Sequence, residues 1–252
     1  MIGVYDSGVG GLSVWKELKA LMPQENYLYV ADTAHCPYGE KPIDYIIERA
    51  DRVTSFLISQ GAQMVVVACN TATAAAINFL RTKYPIPFIG MEPAVKPAAI
   101  ISKSGAVGVL ATANTFKGRL YRDTVMKYCS KTTVIEVIGK GLVGAVEGGY
   151  TPNELLEKYI GQIANKGADV VVLGCTHFPF LTDSILKIAP KEMTIINPAP
   201  AVAQQARKVA NSLNLTKGKD IFYSTGETSS LLRIAKTIDN TLTADSFVSI
   251  DI

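Results

Sequence analysis

One stretch of this chain occurs twice, 106 residues apart and without a gap. The first copy reads Gly61-Ala62-Gln63-Met64-Val65-Val66-Val67-Ala68-Cys69-Asn70-Thr71. The second reads Gly167-Ala168-Asp169-Val170-Val171-Val172-Leu173-Gly174-Cys175-Thr176-His177. A short valine-rich run bounded by turn residues suits a strand covered on both faces. Each copy therefore delivers a thiol to the C-terminal end of a buried strand. The first cysteine is followed by Thr71-Ala72-Thr73-Ala74-Ala75-Ala76, which favours helix. A thiol at such a strand-to-helix junction faces free amide N–H groups, which favour a thiolate and also hold carboxylates.

More of the chain repeats at nearly the same spacing. Gly108-Val109-Leu110-Ala111-Thr112 echoes Gly3-Val4-Tyr5-Asp6-Ser7, and Ile196-Asn197-Pro198-Ala199 echoes Met91-Glu92-Pro93-Ala94, both at an offset of 105. The expected fold class is α/β: two pseudo-symmetric open-sheet domains, largely parallel, with the active site in the cleft between them. The expected division is 1–92 plus about 205–252 for the Cys69 side and 93–204 for the Cys175 side. The tail, with a helix from about Ala201, a strand at Ile221–Tyr223 and a helix at Ser229–Ile238, is too short for a third repeat. It is expected to return to the first domain.

Between these landmarks the pattern predicts strands at Ile2–Tyr5, Tyr27–Val30 and Thr133–Val137. It predicts helices at Leu12–Met22, Ile43–Gln60 and Phe116–Tyr128. Thr151-Pro152-Asn153-Glu154 reads as a capping box with proline at the first helical position, opening a helix to about Lys166. The loop Asp6-Ser7-Gly8-Val9-Gly10-Gly11 is glycine-rich but is neither a dinucleotide fingerprint nor a Walker A loop. Asp6 and Ser7 either cap the following helix or serve the site, where a carboxylate can orient a thiol or bind an ammonium group.

Composition excludes several classes. The net charge of +3 is too small, and too evenly spread, to argue for nucleic acid. No apolar run approaches a bilayer span, and the first residues already read as a core strand with no cleavable leader, so a cytoplasmic protein is expected. The four cysteines, at 36, 69, 129 and 175, form no CxxC pair, and two histidines are too few for an obvious metal site. No metal is expected, and His35 and Cys36 read as ordinary loop residues. Tyr38 and Gly39, in the same loop, can present a hydroxyl and a backbone amide to a ligand.

Two like lobes with one thiol each suit one kind of chemistry. A substrate carbon held between Cys69 and Cys175 sees a sulfur on each face; one removes a proton and the other returns one, giving the mirror image. The carbanion must be held by donors in a site shielded from water. Asn70, Thr71, Thr112 and Thr176 are placed to supply them, and Asp6 and His177 stand beside the nearer cysteines. A Cys–His nucleophile is a weaker alternative, since a protease needs only one such cysteine.

Asp6-Ser7-Gly8-Val9-Gly10-Gly11-Leu12, Pro37-Tyr38-Gly39, Cys69-Asn70-Thr71-Ala72, Gly90-Met91-Glu92-Pro93-Ala94 and Gly174-Cys175-Thr176-His177-Phe178-Pro179 together resemble the glutamate racemases of the cofactor-independent aspartate/glutamate racemase superfamily. The resemblance spans essentially the whole chain. It implies interconversion of L- and D-glutamate for peptidoglycan synthesis and cell shape, with no cofactor. It implies Cys69 and Cys175 as the acid/base pair, with Asp6, Ser7, Tyr38, Gly39, Asn70, Thr71, Thr112, Thr176 and His177 on the substrate. Thr115 would line the site and Glu147 would support His177. It also implies a homodimer. His35-Cys36 departs from the arginine and bulkier residue frequent there. Members activated by a peptidoglycan precursor carry an N-terminal extension, so that regulation is not expected. The rival readings are an aspartate racemase, a fold-keeping binding protein such as a gyrase partner, and a pyridoxal phosphate racemase, which would need a lysine Schiff base.

Overall fold

Every strand pairing is parallel in the computed structural model, which describes residues 1–252. The strands are β1 (Ile2–Asp6), β2 (Tyr27–Ala31), β3 (Met64–Val67), β4 (Phe88–Gly90), β5 (Ala106–Ala111), β6 (Thr133–Ile138), β7 (Val170–Gly174), β8 (Thr194–Ile196), β9 (Ile221–Ser224) and β10 (Phe247–Ser249). Parallel neighbours need long crossovers. Helices supply them: α1 (Leu12–Leu21), α2 (Ile43–Ser59), α3 (Asn70–Lys83), α4 (Val95–Ile101), α5 (Ala113–Lys117), α6 (Arg119–Tyr128), α7 (Leu142–Gly148), α8 (Asn153–Ala164), α9 (Thr182–Ile188), α10 (Ala199–Ala210) and α11 (Ser229–Ile238). Helices on both faces explain why β1, β2, β3 and β7 are buried along their whole length. The edge strand β6 alternates between exposed and buried positions instead.

The duplication is visible in strand order. One sheet runs β10-β9-β2-β1-β3-β4 and the other β6-β5-β7-β8, so β2-β1-β3-β4 and β6-β5-β7-β8 correspond one to one. Register agrees: Gly3 pairs with Val65, and Gly108 with Val171. Both glycines have the same reason to be glycine. A Cβ on Gly3 would crowd Leu57 and Ala62 at 3.2 Å, and one on Gly108 would meet Ile163 at 2.3 Å, so each lets a helix lie close on the sheet.

Four expectations change. The repeat spacing is not constant: Phe88 pairs with Val65 and Ile195 with Val171, which places β4 and β8 at an offset of 107 rather than 105. The helix expected over Phe116–Tyr128 is two helices. It breaks at Gly118, whose backbone is extended and whose Cβ would lie 2.6 Å from Ala74 on α3. Thr151 caps nothing with its side chain; its carbonyl accepts the Asn153 N–H at 3.1 Å, and Pro152 is the cap residue. The tail holds a further strand, β10, and its first helix starts at Ala199.

The tail returns to the first sheet, where β9 pairs with β2 and β10 with β9. Phe222 on β9 meets Trp15 of α1 edge-on, with ring centroids 5.0 Å apart. The largest apolar cluster runs unbroken from Met64 and Trp15 through Ala203 to Leu110 and Leu173, joining the two lobes on one side. On the other side the C-terminal ends of both sheets confront each other.

Candidate active site

Cys69 occupies the junction between β3 and α3. Its backbone is extended, and its Sγ accepts the Ala72 N–H at 3.4 Å, so the thiol itself caps the helix. Its other partner is Ser7 Oγ at 3.9 Å. The expected preference for thiolate is outweighed here. Burial pushes the Cys69 thiol up, the Asp6 charge adds to it, and the Ala72 N–H offsets only part. Cys175 follows β7, but no α-helix starts there. Cys175-Thr176-His177 leads into a 3-10 turn at Phe178–Leu181, and the sulfur lies 3.9 Å from His177 Nδ1. The two thiols therefore sit at equivalent strand ends in unlike settings.

Asp6 ends β1 fully buried. Its Oδ2 accepts the Gly8 and Gly11 N–H groups at 3.1 and 3.0 Å, and its Oδ1 accepts from Thr176 Oγ1 at 3.2 Å. Burial raises this carboxyl, opposed by the His177 charge and those N–H groups. Asp6 thus folds its own loop and reaches across the cleft, while Ser7 touches Cys69. Opposite, His177 Nε2 lies 2.6 Å from Glu147 Oε1, which also accepts the Val9 N–H at 2.9 Å. Burial alone would lower the imidazole, but hydrogen bonds to Cys175, Cys36 and Glu147 hold it well above the usual histidine range. Burial likewise works to raise Glu147, but His177 holds that carboxylate below its usual range.

The Tyr38 hydroxyl is not available to a ligand as expected. It donates to Asp32 and accepts from Tyr5 at 2.9 Å, inside the first lobe. Gly39 lies flat on the second lobe, where a Cβ would stand 2.9 Å from Thr112 Cβ. Asn70 was expected as a donor. Its Nδ2 gives one N–H to Met91 O at 3.4 Å and keeps a second, and its buried Oδ1 has no partner, so it offers an acceptor as well. Thr71 and Thr112 join hydroxyls across the cleft at 2.8 Å, and Thr115 backs Thr112 at 2.9 Å.

Ser7, Tyr38, Gly39, Cys69, Asn70, Thr71, Thr112, Cys175, Thr176 and His177 line one chamber, whose volume is about 10 Å³. Asp6 stands behind that wall. A larger hollow of about 570 Å³ lies by α4, α6 and α10, but neither thiol reaches it.

Residues 13–206 match the sequence profile described as Asp/Glu/Hydantoin racemase. The chain belongs to that racemase family. Within the family, a glutamate racemase of Methylococcus capsulatus is 47% identical over 234 residues, 89% of this chain and 86% of the relative. The fold matches a solved Escherichia coli glutamate racemase in complex with L-glutamate and the activator UDP-MurNAc-Ala, at TM-score 0.87 and 30% identity over 94% of each chain. It also matches the Francisella tularensis glutamate racemase in complex with D-glutamate, at TM-score 0.84 and 26% identity over 99% of this chain and 97% of that one.

Three further residues, to which the sequence reading gave no role, stand at or beside the chamber. Pro37 and Val143 line the chamber. Cys36, taken for an ordinary loop residue, places its Sγ 3.6 Å from Glu147 Oε1. The loop's position at a strand C-terminus was the available signal for Pro37 and Cys36. Nothing local marks Val143, which is brought in by the start of α7. Cys129 remains a buried core residue among Val107, Val109 and Val172.

Proposed function

We propose that this chain is a cofactor-independent glutamate racemase, exchanging the Cα proton between Cys69 and Cys175. One observation carries the reading: two buried thiols, at the ends of equivalent central strands, line a single chamber between the lobes. Each thiol acts as base for one enantiomer and as acid for the other. The thiolate takes the Cα–H, and the opposite thiol gives its proton to the other face of the carbanion.

The geometry supports the remaining roles. The unpartnered Asn70 Oδ1 suits the substrate ammonium. The amides of the first turn of α3 and the hydroxyls of Ser7, Thr71, Thr112 and Thr176 suit its carboxylates. Gly39 closes over the substrate, while Asp6 and Tyr38 act by holding the loops that carry these groups. His177 exchanges a proton with Cys175 and is oriented by Glu147. The glutamate-named relatives support glutamate over aspartate. On this reading the product supplies cytoplasmic peptidoglycan synthesis, and the chain works as a homodimer. The division into 1–92 plus about 205–252, and 93–204, belongs to the same proposal, supported by the pairing of β9 with β2.

Circular dichroism of L- and D-glutamate, without added cofactor, tests the mechanism. Wild type should racemise both enantiomers, and Cys69→Ser and Cys175→Ser should each lose about 10²–10⁴-fold or more. Full activity in either variant would remove that cysteine from the mechanism. Faster turnover of aspartate would change the substrate.

A further inference from the structure

Three side chains from distant segments meet at the edge of the chamber: Cys36 after β2, Glu147 near the end of α7 and His177 after β7. Each offers one ligand atom, and these atoms lie within 4.8 Å of one another. The point between them is kept open by Gly8. A Cβ there would stand 1.9 Å from Glu147 Oε1 and 3.1 Å from Cys36 Sγ. The Val9 N–H fixes the carboxylate from behind. Cys36 and Glu147 are half-buried, which leaves a route in from solvent, whereas His177 is buried.

We propose that Cys36, Glu147 and His177 form an inhibitory site for a divalent cation of the zinc class. A thiolate, an imidazole and a carboxylate are the ligands zinc prefers, with water in the fourth position. Tetrahedral zinc bonds place ligand atoms about 3.3–3.8 Å apart. Cys36 Sγ and Glu147 Oε1, at 3.6 Å, already fit. His177 Nε2 and Glu147 Oε1, at 2.6 Å, must separate by about 1 Å, the metal replacing the proton between them. The balance is simple. Cys36 releases its thiol proton and His177 its Nε2 proton to solvent, and two metal–ligand bonds replace them. With Nε2 on the metal, Nδ1 keeps the only ring proton, so His177 no longer cycles a proton with Cys175. The inhibition rests on the racemase reading above; the binding does not.

Cobalt(II) is the probe, because a thiolate ligand gives it a charge-transfer band in the near ultraviolet. The Cys69→Ser/Cys175→Ser protein, which lacks both chamber thiols, should develop the band and lose it on zinc addition. Adding Cys36→Ser should abolish it, and adding Glu147→Gln instead should weaken cobalt binding at least ~10-fold. In the racemase assay, with each protein referred to its own metal-free rate, Cys36→Ser should need at least ~10-fold more zinc than wild type for half-inhibition. A band that survives Cys36→Ser, or none in the protein retaining Cys36, overturns the site. Zinc inhibition unchanged by Cys36→Ser would place the metal on the chamber thiols and overturn the inhibitory role. If wild type proves not to be a racemase, the cobalt measurement still decides the site.

Discussion

His177 is held from three directions: Glu147 at Nε2, Cys175 near Nδ1, and the backbone of Gly10 against its ring. A Cβ on Gly10 would fall 2.2 Å from Nδ1 and 2.5 Å from Cε1. The ring is buried and hydrogen-bonded, so it can give way only by straining those bonds. Gly10→Ala should therefore move the imidazole by a sizeable fraction of an ångström. Misplacement on that scale costs about 10²-fold in kcat, while overpacking costs about 1–3 kcal/mol of stability. Steady-state kinetics beside urea denaturation separate the two effects. Wild-type kcat in a folded Gly10→Ala protein would show that the position of His177 does not matter to the reaction.

At the scale of elements, two carboxylates, Asp32 buried and Asp169 half-exposed, fasten loops to strands. Asp32, after β2, accepts Arg49 Nε at 3.0 Å and Nη2 at 2.8 Å from α2, and Thr225 Oγ1 at 2.9 Å from the end of β9. Because it also accepts the Tyr38 hydroxyl, one side chain joins four segments of the first lobe. Removing one partner of such a pair leaves an uncompensated charge, a loss of about 3–5 kcal/mol. Arg49→Met should destabilise by that amount in urea, and Asp32→Asn in the same chain should restore part of it. A single variant as stable as wild type would contradict this. Asp169, just before β7, accepts Ser102 Oγ and Lys103 N at 2.6 Å and Ser104 N at 2.9 Å. Burial opposes its ionisation, but these donors hold the carboxyl well below the usual range. The folded value lies below the unfolded one, about 3.9. Its stabilisation is thus complete above that value and is lost as pH falls through the folded value. Asp169→Asn should cost about 1–3 kcal/mol at neutral pH, toward the low end because the group is half-exposed. The difference from wild type should shrink near pH 3. A pH-independent difference would exclude the carboxylate charge as its source.

For the whole molecule the decisive quantity is the closed chamber. A volume of about 10 Å³ holds about one water molecule, so an amino acid enters only when the lobes part. Asn114 of the second lobe holds them together, donating from Nδ2 to Tyr38 O at 3.1 Å and Lys41 O at 2.8 Å in the first. At about 1 kcal/mol each, these bonds bias closure by about 2 kcal/mol, or about 30-fold. Asn114→Ala should raise KM for glutamate by up to that factor and change kcat much less, because the groups around the substrate are untouched. An unchanged KM would mean that closure does not depend on this clasp.

By itself the sequence determined the duplicated parallel architecture and the strand end that each of Cys69 and Cys175 occupies. Those features rest on local pattern, since apolar runs, turn residues and a fixed repeat spacing act within a few residues of each other. It also placed Ser7, Gly39, Asn70, Thr71, Thr112, Thr176 and His177 at strand ends that now line one chamber. Only the tertiary structure decided where their hydrogen bonds go. The Tyr38 hydroxyl turns inward because Asp32 and Arg49 lie beneath it, and Asn70 keeps an unpaired Oδ1 while Met91 O takes one of its two N–H groups. Cys36 gains chemical neighbours because α7 and the segment after β7 meet the first lobe there. The Tyr38–Asp32 and Asn70–Met91 pairs lie 6 and 21 positions apart on separate elements of the first lobe, whereas Cys36 and Glu147 lie 111 positions apart on different lobes. All of them form only when elements or lobes dock, and no local periodicity records the geometry of docking.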